Sequence, residues 1–572
     1  MQTSTQRPWL KFYAKEVPAT IDYPSKTVQS FLAESAIKHA NRNALHFEGK
    51  KITYRELNDL ANQFANGLIS LGIGKGSKVA IILPNVPQFV FCFYGALKTG
   101  ATIVPCNPLY KEKELEFQLS DSDTDAVVIL NNVIPPNDFY SEFAKTRTRL
   151  SKLKHVFTTS LTDFLPGIKK HLAGPVAHIS TVRKPDTIDL MSFVTSQSKL
   201  EPDQAKIDIK PKEDIALLQY TGGTTGVPKG AMLTHFNLLT NAIASNIWGE
   251  LTDEDERVLA VAPFFHIYGL TNAMNAPIHA GQEIILLPQF RVKEVLEAIH
   301  KERVTMFPGV STMYIAIVNY PDLSKYPIHT VKRCISGAAP LPYEVQKKFN
   351  EITGGSLVEG YGLTEASPVT HCNPFGEGAV VKSGSIGIPF PDTDAKIVDL
   401  ETGTKDLGIG EIGELAVKGP QVMKGYWKQP DETANVFRDG WLLTGDIAKM
   451  DDDGYFYIVD RKKDMIDASG FKVWPREVEE VLYAHPAVKE AAIVGVKDPY
   501  RGENVKAIIV LKDKNNNPGP EAFREYCKGK MVAYKVPRIF EFREELPKTL
   551  VGKVLRRKLR DEANSSPFSP AT

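Results

Sequence analysis

The most informative segment of the chain is YTGGTTGVPKG, residues 220–230, which follows an apolar run suited to a strand. From Thr221 to Lys229 it carries three glycines, three threonines and one lysine. Glycines let backbone N–H groups turn toward an anion, hydroxyls donate to phosphate oxygens, and the lysine adds a positive charge. The segment is not a Walker A motif, because Pro228 precedes the lysine and Gly230 follows it. We interpret it as a phosphate-binding loop that follows a strand.

Outward from this loop, apolar runs suited to buried parallel strands alternate with segments of helical period. Strands are expected at 78–84, 101–106, 125–130 and 279–290, and helices at 88–100 and 292–304. This repetition of strand, helix and strand implies parallel sheets covered by helices on both faces, so the predicted fold class is α/β. Residues 131–210 are less regular and are interpreted as a surface elaboration.

The sequence pattern changes from about residue 384. Short segments of alternating apolar and polar residues, separated by glycines, are typical of an antiparallel sheet or barrel. After DRKKD (460–464) comes a compact α+β stretch that could fold independently, so we place a domain boundary at 461–463. The last residues, 561–572, are polar and proline-bearing, and we predict that they are disordered.

The composition excludes several classes of protein. The chain has 572 residues, and 69 Lys and Arg against 68 Asp and Glu give a net charge of +1. A dedicated nucleic-acid binder would show a basic excess, so no nucleic acid is expected as a partner. The five cysteines lack metal-site or redox-pair spacing and the N-terminus has no secretory signal, so a cytoplasmic protein is expected. The uncharged run 79–97 is broken by prolines, and we interpret it as a strand, a turn and a buried helix, not a transmembrane segment.

Nine segments, in order along nearly the whole chain, resemble the core motifs of one family. With YTGGTTGVPKGAMLTH at 220–235, the sequence resembles the adenylate-forming superfamily of acyl-CoA synthetases, 4-coumarate-CoA ligases, peptide-synthetase adenylation domains and beetle luciferases. The other segments are ITYRELNDLANQFANGL (52–68), LKTGATIVPCNPLY (97–110), PFFHIYGL (263–270), EGYGLTEASP (359–368), GELAVKGPQVMKGYW (413–427), WLLTGDIA (441–448), DRKKDMIDASGFKVWPREVE (460–479) and LPKTLVGKVLRRKLR (546–560).

The resemblance implies both a fold and a reaction. Residues 1–460 would form two sheet-and-helix lobes plus a distorted β-barrel, joined by a hinge at 461–463 to a small α+β cap domain at 464–560. Members use Mg-ATP to convert a carboxylate into an acyl-adenylate with release of pyrophosphate. In the acyl-CoA ligases the thiol of CoA then displaces AMP. The expected ligands are therefore ATP, Mg²⁺, CoA and a carboxylic acid.

This chemistry explains the residue types in the motifs. Attack of a carboxylate on the α-phosphate brings two anions together, so the main task of the protein is electrostatic: it must neutralise the phosphorus centre and the departing pyrophosphate. No covalent protein nucleophile is needed, which agrees with the scattered cysteines and with the absence of a GxSxG elbow.

The resemblance also implies which residues bind the nucleotide. Those expected at the phosphates are Thr221, Gly222, Gly223, Thr224, Thr225, Gly226, Lys229 and Thr364, and those expected around the adenine are Gly337, Ala338, Glu359, Gly360, Tyr361 and Gly362. Glu365 is the implied magnesium ligand, together with the Thr221 hydroxyl; a hard cation between phosphates with one carboxylate fits magnesium better than zinc. Asp446 would accept the ribose hydroxyls, with Arg461 as a second ribose contact.

The remaining implied site residues act on the acid and on CoA. Lys553, in a PKTxxGK pattern, would reach the carboxylate and the α-phosphate when the cap domain closes, and His266 would close off the carboxylate. Rotation at Lys463 would withdraw Lys553 and present a loop to the CoA tunnel. That loop consists of Ser469, Gly470, Phe471 and Lys472. The catalytic residues expected are Lys553, His266, Lys229 and Glu365, whereas Arg556, Arg557, Lys558 and Arg560 are interpreted as surface charge.

The acid itself is less closely indicated. Gly222 in TGGTTG resembles bacterial long-chain fatty acyl-CoA synthetases, whereas FFHIYGL (264–270) resembles 4-coumarate-CoA ligases. Glycines at 269, 337 and 362 suggest a roomy acyl pocket, in which each buried methylene would contribute ~0.8 kcal/mol. We favour a medium- or long-chain fatty acid, then an aryl acid, then a short or hydroxylated acid.

Other classes and partners stay open in part. A carrier-protein loading enzyme would normally be accompanied by a carrier domain, and no such unit follows Arg560. A luciferase-like oxygenase shares the implied fold, but nothing in the sequence selects it. A weak peripheral contact with a membrane, and a monomer or a homodimer, are both compatible with the sequence.

Overall fold

The structure is a computed structural model that describes residues 7–134, 137–167, 180–181, 184–221, 228–250, 255–376, 378–468, 471–498, 502–549 and 554–565. The chain divides into two compact units. The first unit comprises Met1–Asp394 and Lys418–Phe437, and the second comprises Ala395–Val417 and Arg438–Thr572. This division assigns residues 395–417 and 438–460 to the same unit as the C-terminal segment, whereas the domain boundary predicted from the sequence lies at 461–463.

Two large sheets organise the first unit. Among the described residues, the larger sheet has nine strands, in the spatial order Ile388–Pro389, Val369–Cys372, Ser356–Gly362, Arg333–Gly337, Met306–Val310, Arg257–Ala260, Glu283–Leu286, Asn43–Phe47 and Lys50–Thr53. Its central strands are parallel, and antiparallel strands flank them at both ends. Parallel pairing agrees with the predicted α/β class.

The second sheet of this unit carries the glycine-rich loop. As far as the structure describes the chain, it has seven strands, in the order Ile188–Asp189, His155–Thr159, Ala126–Leu130, Lys78–Ile82, Thr102–Pro105, Ile215–Thr221 and Lys229–Thr234. All neighbours pair in parallel except the last two strands, which are antiparallel. A small antiparallel sheet is formed by Asn137–Asp138, Asn132–Ile134 and Ser180–Thr181.

The described helices of the first unit follow the apolar periodicity of the sequence. They are Ser30–Lys38, Tyr54–Ser70, Pro87–Lys98, Glu112–Asp121, Phe139–Ala144, Leu190–Thr195, Gln204–Ile207, His235–Trp248, Ile267–Leu270, Ala276–Ala280, Val292–Glu302, Ser311–Val318, Tyr343–Thr353 and Pro430–Val436, and Thr271–Asn275 forms a π-helix. The predicted division of the run 79–97 is confirmed: a strand ends at Ile82 and a helix begins at Pro87. Every residue of that helix is buried, which explains why its sequence is uncharged up to Leu97; the buried Lys98 at its end is paired with Glu201.

The second unit contains two sheets. Within the described ranges, one sheet is formed by Asp394–Val398, Gly413–Lys418, Trp441–Met450, Phe437–Arg438 and Phe456–Arg461, and its long strands are antiparallel. The other sheet is formed by Phe471–Val473, Ile466–Ala468, Gly502–Leu511, Val488–Asp498 and Ile539–Phe542. Helices Pro475–Tyr483, Pro520–Lys528 and Arg556–Ser565 accompany it, as expected for the predicted α+β stretch.

Two expectations about less regular segments need correction. Residues 131–210 are not only a surface elaboration, because the strand His155–Thr159 lies inside the seven-stranded sheet with Val156 and Phe157 buried. The C-terminal helix continues to Ser565, so residues 561–565 are helical where disorder was predicted. Leu559 on this helix is fully buried, which provides the apolar anchor. Residues 566–572 lie outside the described residues.

Among the described residues, no helix combines the length and the apolar character that a membrane crossing needs.

Candidate active site

The two ends of the predicted phosphate loop are brought together by antiparallel pairing. Thr221 is the last residue of one strand and Lys229 is the first residue of the next, and the two residues are direct partners in the ladder. The chain before and after the loop is therefore paired at the edge of the sheet. Of the predicted phosphate contacts, Gly222, Gly223, Thr224, Thr225 and Gly226 lie outside the described residues.

Lys229 is a buried cation with a defined partner. Only 5% of the residue is exposed, and its ammonium forms an ion pair with the carboxylate of Glu432. The same ammonium lies 5.2 Å from the ring centroid of Tyr426, within the range of a cation–π contact. Glu432 belongs to the short helix Pro430–Val436, about 200 residues further along the chain.

Glu365 is held by the same part of the chain. It lies in the single helical turn Thr364–Ala366, and its Oε1 accepts a 2.6 Å hydrogen bond from the Tyr426 hydroxyl. Its backbone carbonyl accepts from the N–H of Met423 at 2.7 Å. Burial, together with the negative charge of Glu365, raises the pKa of Tyr426 well above its ordinary value. The hydroxyl therefore stays protonated and acts as the donor.

Backbone hydrogen bonds hold the segment around Tyr426 along the strand that begins with Lys229. The Met232 N–H donates to the Gly425 carbonyl at 2.9 Å, and the Trp427 N–H donates to the Gly230 carbonyl at 2.8 Å. Tyr426 thus lies between the lysine and the carboxylate that the sequence predicted for the phosphates and the metal. Our sequence reasoning did not single out Tyr426 or Glu432, although the first lies in the motif GELAVKGPQVMKGYW and the second follows it by five residues.

The residues predicted around the adenine lie at the carboxyl ends of neighbouring parallel strands. Gly337 ends one strand, Gly360, Tyr361 and Gly362 end the next, and Ser336 and Glu359 are paired in the register. Ligands commonly bind outside this edge of a parallel sheet. Ala338 has a left-handed φ of +65°, a strained conformation of the kind that clusters at functional sites. Glu359 is buried, and its Oε2 accepts from the Leu341 N–H at 3.2 Å, which ties down the loop after Ala338.

The expectation that glycines at 269, 337 and 362 provide a roomy acyl pocket is wrong. A Cβ at Gly269 would lie 2.3 Å from the Pro263 carbonyl oxygen, and one at Gly362 would lie 2.1 Å from the Pro368 carbonyl oxygen. A Cβ at Gly337 would lie 3.1 Å from the ring of Tyr268. These glycines permit close packing of backbone against its neighbours and do not leave empty space.

His266 caps a short helix close to the adenine strands. Its Nδ1 accepts from the Tyr268 N–H at 3.3 Å, and the Tyr268 hydroxyl donates to the Ile335 carbonyl at 2.8 Å. Because Ile335 lies in the strand that ends at Gly337, this helix is tied to the strand that carries one of the predicted adenine contacts. The ring of His266 is partly exposed.

In the second unit, Asp446 and Arg461 face each other across two antiparallel strands. They are ladder partners, and the Arg461 Nε lies 3.4 Å from Asp446 Oδ1. Asp446 is only 8% exposed. Glu414, which sequence reasoning missed, accepts from the Gly445 N–H at 3.0 Å and from the Lys462 ammonium at 2.9 Å. The predicted ribose carboxylate is thus held in a network that includes the hinge segment.

The other predicted residues of this unit are partly described. Lys463 lies in the single turn Lys462–Asp464 and is exposed. Phe471 and Lys472 are exposed on a short strand, and the ring of Phe471 stacks on Tyr534 at 4.8 Å. Ser469, Gly470 and Lys553 lie outside the described residues.

The interpretation of the cations after Lys553 as surface charge is wrong for Arg556. Its guanidinium forms an ion pair with Glu479 at 2.5 Å and lies 3.8 Å from Asp460 and 3.9 Å from Asp464. Arg560 also pairs with Asp464, at 2.6 Å. Arg557 and Lys558 are solvent-exposed, as predicted. The C-terminal helix is therefore fastened by charge to the segment on which the hinge was predicted.

The donors present suit a hard cation that shares its coordination with phosphates. Glu365 contributes a carboxylate with Oε2 not engaged by Tyr426, and Thr221 contributes a hydroxyl at the start of the loop. Mg²⁺ takes one or two such protein oxygens and completes its octahedron with phosphates and water. Within the described ranges, no group of three or more His, Cys, Asp or Glu side chains is placed to hold a metal. The residues predicted for the metal therefore fit Mg²⁺ bound together with a phosphate ligand.

A buried lysine and a hydrogen-bonded carboxylate next to a glycine-rich segment, in a protein of the α/β class, are the features expected of a phosphate-binding protein. Comparison with known proteins makes this more specific. The AMP-binding enzyme family matches residues 32–427, and the AMP-binding enzyme C-terminal domain matches residues 477–553. The chain therefore belongs to the AMP-binding enzyme family, which confirms the resemblance drawn from its motifs.

Individual relatives cover nearly the whole chain. A long-chain-fatty-acid–CoA ligase of Bacillus subtilis (strain 168) is 46% identical over 563 residues, 98% of each chain. The crystal structure of the anthranilate CoA ligase AuaEII in complex with anthranoyl-AMP superposes with a TM-score of 0.82 at 29% identity, covering 95% of this chain and 98% of that one. The ATP-bound structure of MatB from Rhodopseudomonas palustris gives a TM-score of 0.80 at 29% identity, covering 94% and 99%.

Proposed function

We propose that this protein is an AMP-forming acyl-CoA ligase that acts on a long-chain fatty acid. It activates the acid with ATP to an acyl-adenylate, releases pyrophosphate, and then transfers the acyl group to CoA with release of AMP. The observation that carries the proposal is the arrangement of Lys229 and Glu365 around Tyr426 beside the glycine-rich loop. The relative named long-chain-fatty-acid–CoA ligase, at 46% identity, supports the choice of acid.

The first half-reaction needs positive charge where the polyphosphate lies. Lys229 binds the β and γ phosphates together with Thr221, Thr224, Thr225 and the loop N–H groups, which offsets the charge of the departing pyrophosphate. Glu365 and Thr221 would hold Mg²⁺, which supplies further neutralisation of the phosphates when bound. His266 closes off the carboxylate of the substrate and excludes water from the acyl-adenylate.

Further groups fix the adenine and the ribose of the nucleotide. Gly337, Ala338 and the residues Glu359–Gly362 line the adenine, with Thr364 as a further phosphate contact. Asp446 accepts the ribose hydroxyls, with Arg461 beside it; a carboxylate makes strong, charge-assisted bonds to two adjacent hydroxyls. In the proposed sequence of steps, Lys553 reaches the carboxylate and the α-phosphate for adenylation. Rotation at Lys463 then presents the loop 469–472 to CoA.

A panel of carboxylic acids, assayed for AMP and pyrophosphate with and without CoA, tests the proposal. Palmitate or another long-chain acid should give CoA-dependent acyl-CoA, AMP and pyrophosphate at the highest kcat/KM, because the apolar tail adds binding energy with each buried methylene. A preference for 4-coumarate or anthranilate would favour an aryl acid instead, and a preference for a short hydroxylated acid would overturn the choice of a fatty acid. ADP in place of AMP, or no CoA dependence with any acid, would overturn the ligase assignment.

Lys553 separates the two half-reactions. We expect Lys553→Ala to abolish exchange of labelled pyrophosphate into ATP, because it removes the charge at the α-phosphate, and to spare thioester formation from supplied acyl-adenylate. The matched control is Lys558→Ala, since Lys558 is exposed on the helix that follows and should leave both half-reactions intact. Equal loss of both half-reactions in Lys553→Ala would remove Lys553 from its proposed role.

A further inference from the structure

We propose that one short segment, Gly425–Thr433, positions both charged groups of the phosphate site: Tyr426 orients Glu365, and Glu432 orients Lys229. Both are positioning residues, because each acts through a side chain that would meet the nucleotide or its metal. The proposal deepens the function given above and rests on it for the roles of Lys229 and Glu365.

Tyr426 is well fixed as a donor. It is 7% exposed, its N–H donates to the Thr433 hydroxyl at 2.8 Å, and that hydroxyl in turn donates to the Gln429 carbonyl at 2.9 Å. From this fixed backbone, the phenol reaches Glu365 Oε1 at 2.6 Å. A glutamate on a single helical turn has three rotatable bonds, so a donor fixed on one oxygen selects one orientation of the carboxylate. The other oxygen, Oε2, then keeps a constant direction.

Glu432 acts on the lysine in the corresponding way. A buried ammonium is costly unless it is paired, and Glu432 supplies the pair to Lys229, whose side chain is 7% exposed. An ammonium has three donors, so one bond to Glu432 leaves two for phosphate oxygens. The side chain of Glu432 is 33% exposed, so it approaches from the solvent side while the Tyr426 ring lies against the same ammonium.

The two positioning contacts should have different signatures. The hydroxyl of Tyr426 acts through the predicted metal ligand, so its loss should change the response to Mg²⁺. Glu432 acts through the lysine that binds phosphate directly, so its loss should weaken nucleotide binding whether or not Mg²⁺ is present. A merely structural role of the segment would lower stability and change neither dependence selectively.

The first test is Tyr426→Phe, which deletes one oxygen atom. We expect the Mg²⁺ concentration for half-maximal pyrophosphate exchange to rise about 10-fold, as for loss of one hydrogen bond to a charged group. By calorimetry, ATP with Mg²⁺ should bind about 10-fold more weakly, and ATP in EDTA should bind as to the parent protein. The matched control is Tyr457→Phe, whose hydroxyl also donates to a carboxylate, Asp451, at 3.1 Å in the other unit. An unchanged Mg²⁺ dependence, or equal weakening with and without Mg²⁺, would overturn the role of Tyr426.

The second test is Glu432→Gln, with the exposed neighbour Asp431→Asn as control. We expect ATP affinity to fall about 10-fold in both Mg²⁺ and EDTA. A neutral amide bonds the Lys229 ammonium more weakly than a carboxylate does, so the ammonium is held less firmly in the direction of the phosphates. Affinity equal to that of Asp431→Asn would overturn the role of Glu432.

A double variant separates positioning from loss of fold. If Tyr426 acts through Glu365, adding Tyr426→Phe to Glu365→Gln should not weaken Mg-ATP binding further, whereas independent effects would add and would contradict the proposal. Because binding of ATP is measured directly, the result also stands apart from the ligase assignment. A protein that forms no acyl-CoA but shows these binding differences would refute the proposed function and support the positioning roles. Active variants that behave like their controls would refute the positioning roles alone.

Discussion

The charged side chains of the region predicted to bind phosphate and of the predicted hinge segment are held in two different ways. Lys229 is paired with Glu432, and Glu365 accepts from Tyr426, so each charged group is held by a neighbour from one short segment. Around the hinge, by contrast, Arg556 lies near three acids, including Glu479 and Asp464, and links a C-terminal helix to two other elements. Among the described residues, each charged group of the first arrangement is paired with one side chain, whereas Arg556 in the second is surrounded by three acids. We therefore expect similar residue types to serve binding in the first region and stability in the second.

The largest expected effect is that of Lys229→Met, which keeps the length of the side chain and removes its charge. If the phosphate region is built for binding, pyrophosphate exchange should fall about 10²- to 10³-fold, as for loss of one preorganised electrostatic contact. Stability should change much less, because Glu432 can turn toward solvent.

The control for Lys229 is Lys293→Met, since Lys293 is exposed on the surface helix Val292–Glu302. The measurement compares the initial rates of pyrophosphate exchange at a saturating concentration of the carboxylic acid. Urea unfolding of the same preparations gives their stability. A variant with near-normal exchange and a large loss of stability would make Lys229 a structural residue and would remove the contrast between the two regions.

Arg556→Ala should show the opposite pattern. It leaves Glu479 and the buried Asp460 without their main counter-charge, so we expect local stability of the second unit to fall by about 3 kcal/mol. Native-state hydrogen exchange across the helix Pro475–Tyr483 measures this locally, which is preferable in a chain of two units. Arg557→Ala, two-thirds exposed and paired only weakly within its own helix, should stay within about 0.5 kcal/mol of the parent. Equal protection of the amide hydrogens from exchange in the two variants would show that the ion pairs of Arg556 contribute nothing to stability.

The sequence predicted the elements that repeat a simple pattern. Strand 78–82 and helix 87–98 were predicted because both are almost entirely buried and are uncharged between Lys78 and Lys98, and because Pro87 stands at the first helical position. The strand His155–Thr159 was missed because it is short, contains two threonines, and lies in a stretch of mixed polar composition.

The site was predicted only as far as its motifs reach. Lys229 and Glu365 lie inside recognisable motifs. The pairing of Lys229 with Glu432 joins residues about 200 positions apart, and no spacing in the sequence predicts it. Glycine was ambiguous for a different reason: it fits both an open pocket and a close backbone contact, and Gly362 turned out to be the second. Arg556 was misjudged because its charge pattern matched that of its exposed neighbours, and only the fold distinguishes them.

The smallest expected effect is a difference in how the stability of each unit changes at low pH. In the first unit, burial lowers the pKa of His235 from 6.5 to about 4, with Asp214 and Lys75 as the nearby charges. The unfolded chain then binds a proton that the folded chain does not, so stability should fall as the pH drops through this range. In the second unit, burial raises the pKa of Asp460 from 3.8 to about 6, against the lowering effect of Arg556. Here the folded chain binds the extra proton, so this contribution should rise as the pH drops from about 6 to 4.

Two neutral variants isolate these contributions from the other carboxylates that titrate in the same range. Relative to the parent, His235→Gln should make the helix His235–Trp248 less sensitive to acid, and Asp460→Asn should make the strand Phe456–Arg461 more sensitive. Between pH 6.5 and 4.5, the change in the local free energy of unfolding should differ between variant and parent by on the order of 1 kcal/mol. Hydrogen exchange, corrected for the intrinsic exchange rates, measures this free energy. Opposite signs in the two units would show that burial acts on a neutral histidine in one region and on an ion-paired acid in the other. Equal slopes for parent and variants would mean that neither group changes its proton affinity on folding, and the distinction between the regions would then rest on Lys229 and Arg556 alone.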